Sequence, residues 1–293
     1  MSVQVVGIIG LGLMGEGFTK RLVETGYRVA GYDIVPEKVA AAAVRGLQAC
    51  KSPSEVARAA DIILMSVTTT AAVEQVVLGI DGISSAGWLQ DKLLVDHSTT
   101  EIDTTKRVAA ALATVSGMGF VDAPVSGGPA AAAHGTLAIM AGGEEEAIAR
   151  IRPVMEQLGR FTHMGAVGSG QATKLVNQTL VLANYCVIAE ALRLAEAYGV
   201  DTAKIPAALE SGHAGSNLLP VLFERMIARD FAPRGFARQV LKDLEMLHQA
   251  AGARHLSMPM ATQALTLYRL LIAQGKSELD AAAILTLYPE PAS

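Results

Sequence analysis

Apolar positions follow two different rhythms along this chain. As far as about residue 165, short runs rich in Val, Ile and Leu alternate with amphipathic or Ala-rich segments of helix length, the pattern of βαβ units around a mostly parallel sheet. The runs predict strands at Gln4–Ile9, Arg28–Tyr32, Asp61–Val67, Lys92–Val95, Gly119–Asp122, Thr136–Ala141 and Phe161–Met164. Helices fill most of the gaps, including Thr100–Ala113 and Glu144–Leu158, where Glu144, Glu145 and Glu146 suit the positive end of the helix dipole. Beyond Gly170 the alternation stops and long helical stretches follow. Gln171–Tyr198 comes first, closed by Gly199, and would span about 42 Å at 1.5 Å per residue if unbroken. Thr202–Glu210, Leu218–Ala228, Ala237–Ala250, Pro259–Gln274 and Leu279–Leu287 continue the helical half. The fold class expected is α/β: a mostly parallel sheet with helices over residues 1–166, then an all-helical domain over 167–293.

Composition agrees with two ordinary cores, since 51% of the 293 residues are apolar and 18% charged. A net charge of -4, with no run of five basic residues, argues against nucleic acid as a partner. Two cysteines, Cys50 and Cys186, are too few for an extracellular disulfide framework and read as small buried hydrophobes in a reducing compartment. The Met1–Ile9 run lacks a basic leader and passes straight into a glycine loop, so cleavage there would destroy the first strand. The most apolar stretch, Leu180–Ala195, carries Asn184, Glu190 and Arg193, which are expensive in lipid. These features point to a cytoplasmic protein without a membrane span.

The segment Gly10-Leu11-Gly12-Leu13-Met14-Gly15 places Gly-x-Gly-x-x-Gly between an apolar strand and a helix. Isolated, such a triplet is more often an ordinary turn. In this context Gly10 permits the tight turn, Gly12 leaves room for a pyrophosphate at the helix N-terminus, and Gly15 allows close helix–strand packing. The second strand ends in Asp33, 18 residues past Gly15, where an acid can accept hydrogen bonds from the ribose hydroxyls of NAD and repel the 2′-phosphate of NADP. The cofactor expected is NAD rather than NADP, with Arg28 and Lys38 as solvated surface charges.

From Gly7 through Asp243 the motifs resemble the β-hydroxyacid dehydrogenase family, which includes 3-hydroxyisobutyrate dehydrogenase, tartronate semialdehyde reductase and threonate dehydrogenase. The matching pieces are the glycine loop, Asp96-His97-Ser98-Thr99, Asp122-Ala123-Pro124-Val125-Ser126-Gly127-Gly128, Gly168-Ser169-Gly170-Gln171-Ala172-Thr173-Lys174-Leu175-Val176-Asn177-Gln178, and Lys242-Asp243-Leu244. The resemblance implies that residues 1–166 form a Rossmann-type doubly wound domain and 167–293 an all-helical substrate and oligomerisation domain, with the active site in a cleft between them. It implies that Lys174 is the catalytic acid–base group, that Ser126-Gly127-Gly128 holds the substrate carboxylate, and that Thr99 and Lys242 approach the nicotinamide end of the cofactor. Two departures stand out. The third-strand end commonly reads Leu-Pro but here reads Val67-Thr68, which alters the loop assigned to the cofactor at Val67. Four residues after the lysine many members have Asn, whereas this chain has Gln178, as the tartronate semialdehyde reductase branch does, and Asn177 one place earlier.

These residue types suit hydride chemistry. Oxidising an alcohol carbon needs a group that takes the hydroxyl proton, and reduction needs one that returns it; a lysine desolvated beside a cationic ring can do both. Gly168 and Gly170 let the chain turn into the long helix with Lys174 in its early turns, and Gln178 at i+4 shares its face, with Asn177 as a near alternative. Either amide could instead bridge helix and sheet. Two side-chain-free residues after Ser126 let N–H groups converge on an anion. Ser216, in the Gly212–Asn217 loop, can line the substrate side or act as a helix N-cap. His97 and His134 lack the spaced partners of a metal site and read as non-catalytic. The reaction expected is interconversion of a small 3-hydroxy acid and its semialdehyde by a homodimer or homotetramer. An imine reductase would usually lack the lysine, a non-catalytic NAD-binding assembly module would have no use for Lys174 or Ser126, and a phosphogluconate dehydrogenase would need a longer chain and an arginine cluster.

Overall fold

The computed structural model describes residues 4–290; the first three residues of the Met1–Ile9 run lie outside them. The strands are β1 (Val5–Ile9), β2 (Arg28–Tyr32), β3 (Leu47–Ala49), β4 (Ile62–Met65), β5 (Leu93–Asp96), β6 (Gly119–Asp122), β7 (Val125–Ser126), β8 (Leu137–Gly142) and β9 (Gly159–Gly165). They form one sheet in the order β3-β2-β1-β4-β5-β6-β8-β7, with β9 on the other side of β8. β1 to β6 are all parallel, β8 runs antiparallel to β6 and β7, and β9 is parallel to β8. The strand order of the first six is the doubly wound one, and it reverses between β1 and β4, where open α/β sheets take their ligands.

Both faces of the parallel part are covered, which is why its strands read as continuous apolar runs. Ile62, Leu64, Leu93 and Val95 pack with Phe18 and Leu22 of the helix Leu13–Glu24 and with Val154 and Leu158 of Glu145–Leu158. The alternate residues Ile63, Met65 and Leu94 pack with Val56, Val77 and Val108 from the helices Pro53–Ala59, Thr70–Leu78 and Ile102–Ser116. The two short strands β3 and β7 escape the sequence reading. Leu47-Gln48-Ala49 carries no β-branched residue, and Val125-Ser126 is too short to show a period and lies inside a motif taken as a turn.

The chain divides after Lys174 into two compact units. The expected boundary at 166/167 falls instead in the turn between β9 and the helix Ser169–Ala197, which runs unbroken for 29 residues. By length and composition this helix could cross a membrane. Here its Leu182, Cys186, Ala189 and Leu192 join Phe223, Leu244, Leu265, Tyr268 and Ile284 in the core of the second unit. That unit also buries an ion pair, Arg225 to Asp280 at 2.7 Å, and the Asp280 carboxylate further accepts the backbone N–H groups of Arg234, Gly235 and Ala282. The segment Thr202–Glu210 is a 3₁₀ turn, Thr202–Lys204, followed by the short helix Ile205–Leu209, and the last segment is a 3₁₀ run, Ala281–Leu287. Cys50 lies buried in the first unit and Cys186 in the second, both as free thiols raised by burial above their ordinary range, Cys186 to about 12.

Candidate active site

The glycine loop leaves the end of β1 with Gly10 at φ +90°, where a side chain would collide with the Ser66 carbonyl; Gly15 is packed against the Gly10 carbonyl just as tightly. A Cβ on Gly12 would meet nothing within 4 Å, so the loop is open above the N-terminus of Leu13–Glu24. Helix-end N–H groups and an open glycine cradle fit a pyrophosphate. At the end of β2 the buried Asp33 carboxylate accepts the N–H of Leu11 at 2.7 Å and of Val35 at 2.9 Å, tying the glycine loop to the second strand. Lys38, expected as a solvated charge, places its Nζ 3.8 Å from Asp33 Oδ2. Val67 packs beside the glycine loop, and its N–H donates to the Ser98 hydroxyl at 2.9 Å. Thr99 is half-buried in the turn after β5. Leu13 is exposed at the helix start and Met14 packs against the core. Gly10 to Gly15, Asp33, Val67 and Thr99 thus gather at the carboxyl ends of β1, β2, β4 and β5 and fit a dinucleotide.

A second group forms where β6 ends. Pro124 leads into β7, after which Gly127 and Gly128 adopt φ +127° and +74°. Lys174 is almost entirely buried, with its Nζ donating to the Val125 carbonyl at 2.7 Å. The amine therefore stands one residue away from Ser126-Gly127-Gly128. Of the two glycines credited with the turn before the helix, Gly168 serves it, at φ +94°. Gly170 does something else: a Cβ there would sit 2.5 Å from the carbonyl oxygens of Asp122 and Met140. His97 is fully buried, with Nδ1 2.6 Å from the Ala123 carbonyl; burial pulls its pKa down to about 4, so the ring is neutral near pH 7.

In the second unit, Asn177 Nδ2 donates to Gln178 Oε1 at 2.8 Å, Gln178 Nε2 donates to Asp243 Oδ2 at 2.5 Å, and Lys242 Nζ lies 3.0 Å from Asp243 Oδ1. Asp243 stood in the Lys242-Asp243-Leu244 motif but was not assigned a site role. Its signal was the pairing of a carboxylate with a lysine one place before it. The Ser216 hydroxyl accepts the N–H of Leu219 at 3.1 Å, on the rim of an open cavity of about 1090 Å³ shared with Pro206, Glu210 and Glu224. None of the residues around Gln178 lines that cavity.

Residues 5–176 match the model of the NAD binding domain of 6-phosphogluconate dehydrogenase, and residues 168–288 the model described as NAD-binding of NADP-dependent 3-hydroxyisobutyrate dehydrogenase. The chain is 36% identical over 280 residues to 2-hydroxy-3-oxopropionate reductase of Escherichia coli, covering 95% of both chains. It belongs to the β-hydroxyacid dehydrogenase family. Solved structures of such dehydrogenases share its fold: 3-hydroxyisobutyrate dehydrogenase from Salmonella typhimurium superposes with a TM-score of 0.88 at 27% identity, over 97% of this chain and 100% of that one. The Mycobacterium tuberculosis 3-hydroxyisobutyrate dehydrogenase, determined with L-serine, gives 0.83 at 30%, over 98% and 100%. As a β-hydroxyacid dehydrogenase, the chain is an NAD(P)-dependent oxidoreductase.

Proposed function

We propose that this dehydrogenase interconverts a small 3-hydroxy acid and its semialdehyde, using NAD in preference to NADP. Tartronate semialdehyde and glycerate are the foremost pair, and 3-hydroxyisobutyrate and threonate the alternatives. The observation that carries the reading is Lys174 Nζ, desolvated and 2.7 Å from the Val125 carbonyl, next to Ser126 and the two positive-φ glycines. NAD(P), when bound, supplies the acceptor or donor of hydride. In oxidation, the neutral amine of Lys174 takes the hydroxyl proton as the hydride leaves the carbon; in reduction, the ammonium returns a proton to the carbonyl oxygen. Ser126 and the N–H groups of Gly127 and Gly128 receive the substrate carboxylate. Asn177, Gln178 and Ser216 serve the substrate side, Lys242 the cofactor. Glutamine at 178, in place of the asparagine of many members, supports the tartronate semialdehyde pair. We place the enzyme in the cytoplasm as a homodimer or homotetramer, with no membrane or nucleic-acid partner.

The deciding experiment is a panel of small hydroxy acids and semialdehydes with NAD(H) and NADP(H), followed by nicotinamide absorbance. Lys174→Ala should bind NADH as the wild type does and lose about 10²- to 10⁴-fold in turnover, the scale of a lost proton-transfer group. A variant that turns over at the parent rate would leave Lys174 without a chemical role.

A further inference from the structure

Asp122 is the last residue of β6 and is fully buried, with its two oxygens spent on the start of another element. Oδ1 accepts the N–H of Gly168 at 2.7 Å and Oδ2 the N–H of Gln171 at 2.8 Å. A helix start leaves its first N–H groups without intrahelical partners, and a side chain just before the helix usually serves one of them. At Ser169–Ala197 that place belongs to Gly168, which has no side chain, and the acceptor comes from a strand end far back in the chain. The carboxylate charge also opposes the positive end of the helix dipole.

Gln171 makes a second connection from the same turn. Fully buried, it accepts the N–H of Thr100 at 3.1 Å through Oε1 and donates to the Ser98 carbonyl at 2.8 Å through Nε2. The fit around the carboxylate leaves no slack: a Cβ on Gly142 would lie 2.6 Å from Asp122 Oδ1, and one on Gly170 2.8 Å from Asp122 Oδ2. Three residues past Gln171, Lys174 reaches the carbonyl of Val125, itself three residues past Asp122. One stretch, Asp122 to Ser126, therefore grips the base of the helix and the amine that the helix carries.

We propose that Asp122, with Gln171 as a second arm, is the positioning residue that fixes Lys174 beside Ser126-Gly127-Gly128; this rests on the acid–base role given to Lys174 above. Two facts favour positioning over plain structural support. Burial pushes the Asp122 carboxyl up to about 6, only partly offset by the N–H groups it accepts, so the fold holds this acid at the helix start against its desolvation. An amide of equal size could accept only one of the two N–H groups and would turn its own N–H₂ toward the other.

The test uses the full-length protein with 2-hydroxy-3-oxopropionate and NADH, comparing wild type, Asp122→Asn, Asp122→Ala, Gln171→Met and Lys174→Ala, with amide hydrogen exchange on each. The expected order of kcat is wild type above Asp122→Asn above Asp122→Ala, with losses of about tenfold and about hundredfold, the scale of an ångström-sized misplacement. Both KM values should stay within about twofold, because an interaction needed only for the chemical step lowers kcat alone. Exchange should quicken in the turn from Gly168 to Lys174 and nowhere else in the first unit. Gln171→Met should repeat both effects, and decides the matter alone if the Asp122 variants do not fold. A folded Asp122→Asn or Gln171→Met with kcat within twofold of wild type, or exchange that quickens throughout the first unit, overturns the proposal. A wild type inactive on every hydroxy acid and semialdehyde would instead overturn the functional reading, while the exchange data would still report on the clamp.

Discussion

At the scale of single residues, the proposed preference for NAD rests on charge placement around Asp33. Both its oxygens are engaged by backbone N–H groups, which fixes the carboxylate in place, and Lys38 stands 3.8 Å away. Removing the carboxylate leaves the ammonium behind, in position to attract a phosphate. Asp33→Ser should therefore do more than relax the preference for NAD: the ratio of kcat/KM for NADPH over NADH should rise by about tenfold or more, roughly 1.4 kcal/mol. Lys38→Ala in that background should take the gain away. An Asp33→Ser enzyme with an unchanged ratio would mean that selectivity resides elsewhere. Lys38 is solvent-exposed as the sequence suggested, but its approach to Asp33 was not legible there, because only the fold brings the end of the second strand and the following helix turn together.

Turns and strand ends, as elements, explain what was legible in the sequence and what was not. The parallel strands were readable because both their faces are buried, and the glycine loop because Gly10 and Gly15 have no room for a side chain. Lys174 and the Ser126 motif were singled out through their place in a family pattern, and the fold brings the lysine amine to Val125, next to Ser126. The hydrogen bonds that tie Asp122 to Gly168 and Gln171 leave no periodic trace, since the partners are remote in sequence and only the folded sheet juxtaposes them. Gly170 was misread for a related reason: its lack of a side chain serves a close approach to the sheet, and sequence alone cannot tell that from a turn. The β7 turn offers a test at this scale. Gly127 has φ +127°, and a Cβ there would sit 2.7 Å from Ala131 Cβ. Gly127→Val should raise the KM for the free acid by about tenfold and cost about 1–3 kcal/mol of unfolding free energy, the usual range for a strained backbone site. An unchanged KM would remove Ser126-Gly127-Gly128 from carboxylate binding.

For the molecule as a whole, each unit has its own core. The helical unit's core encloses the Arg225–Asp280 pair, buried on both sides and bonded to the loop before Ala237–Gly252. Arg225→Met strands the Asp280 charge without its counterion, and urea unfolding should register a loss of about 3 kcal/mol. A loss below about 1 kcal/mol would show that the three backbone N–H groups on Asp280 suffice. The distribution of sulfur gives a further consequence. Cys50 is sealed in the sheet unit and Cys186 in the helical one, and with no third thiol in the chain each half carries a single alkylatable label. Brief exposure to iodoacetamide at rising denaturant, read by peptide mass, therefore dates the opening of each half separately within one sample, with no engineered probe.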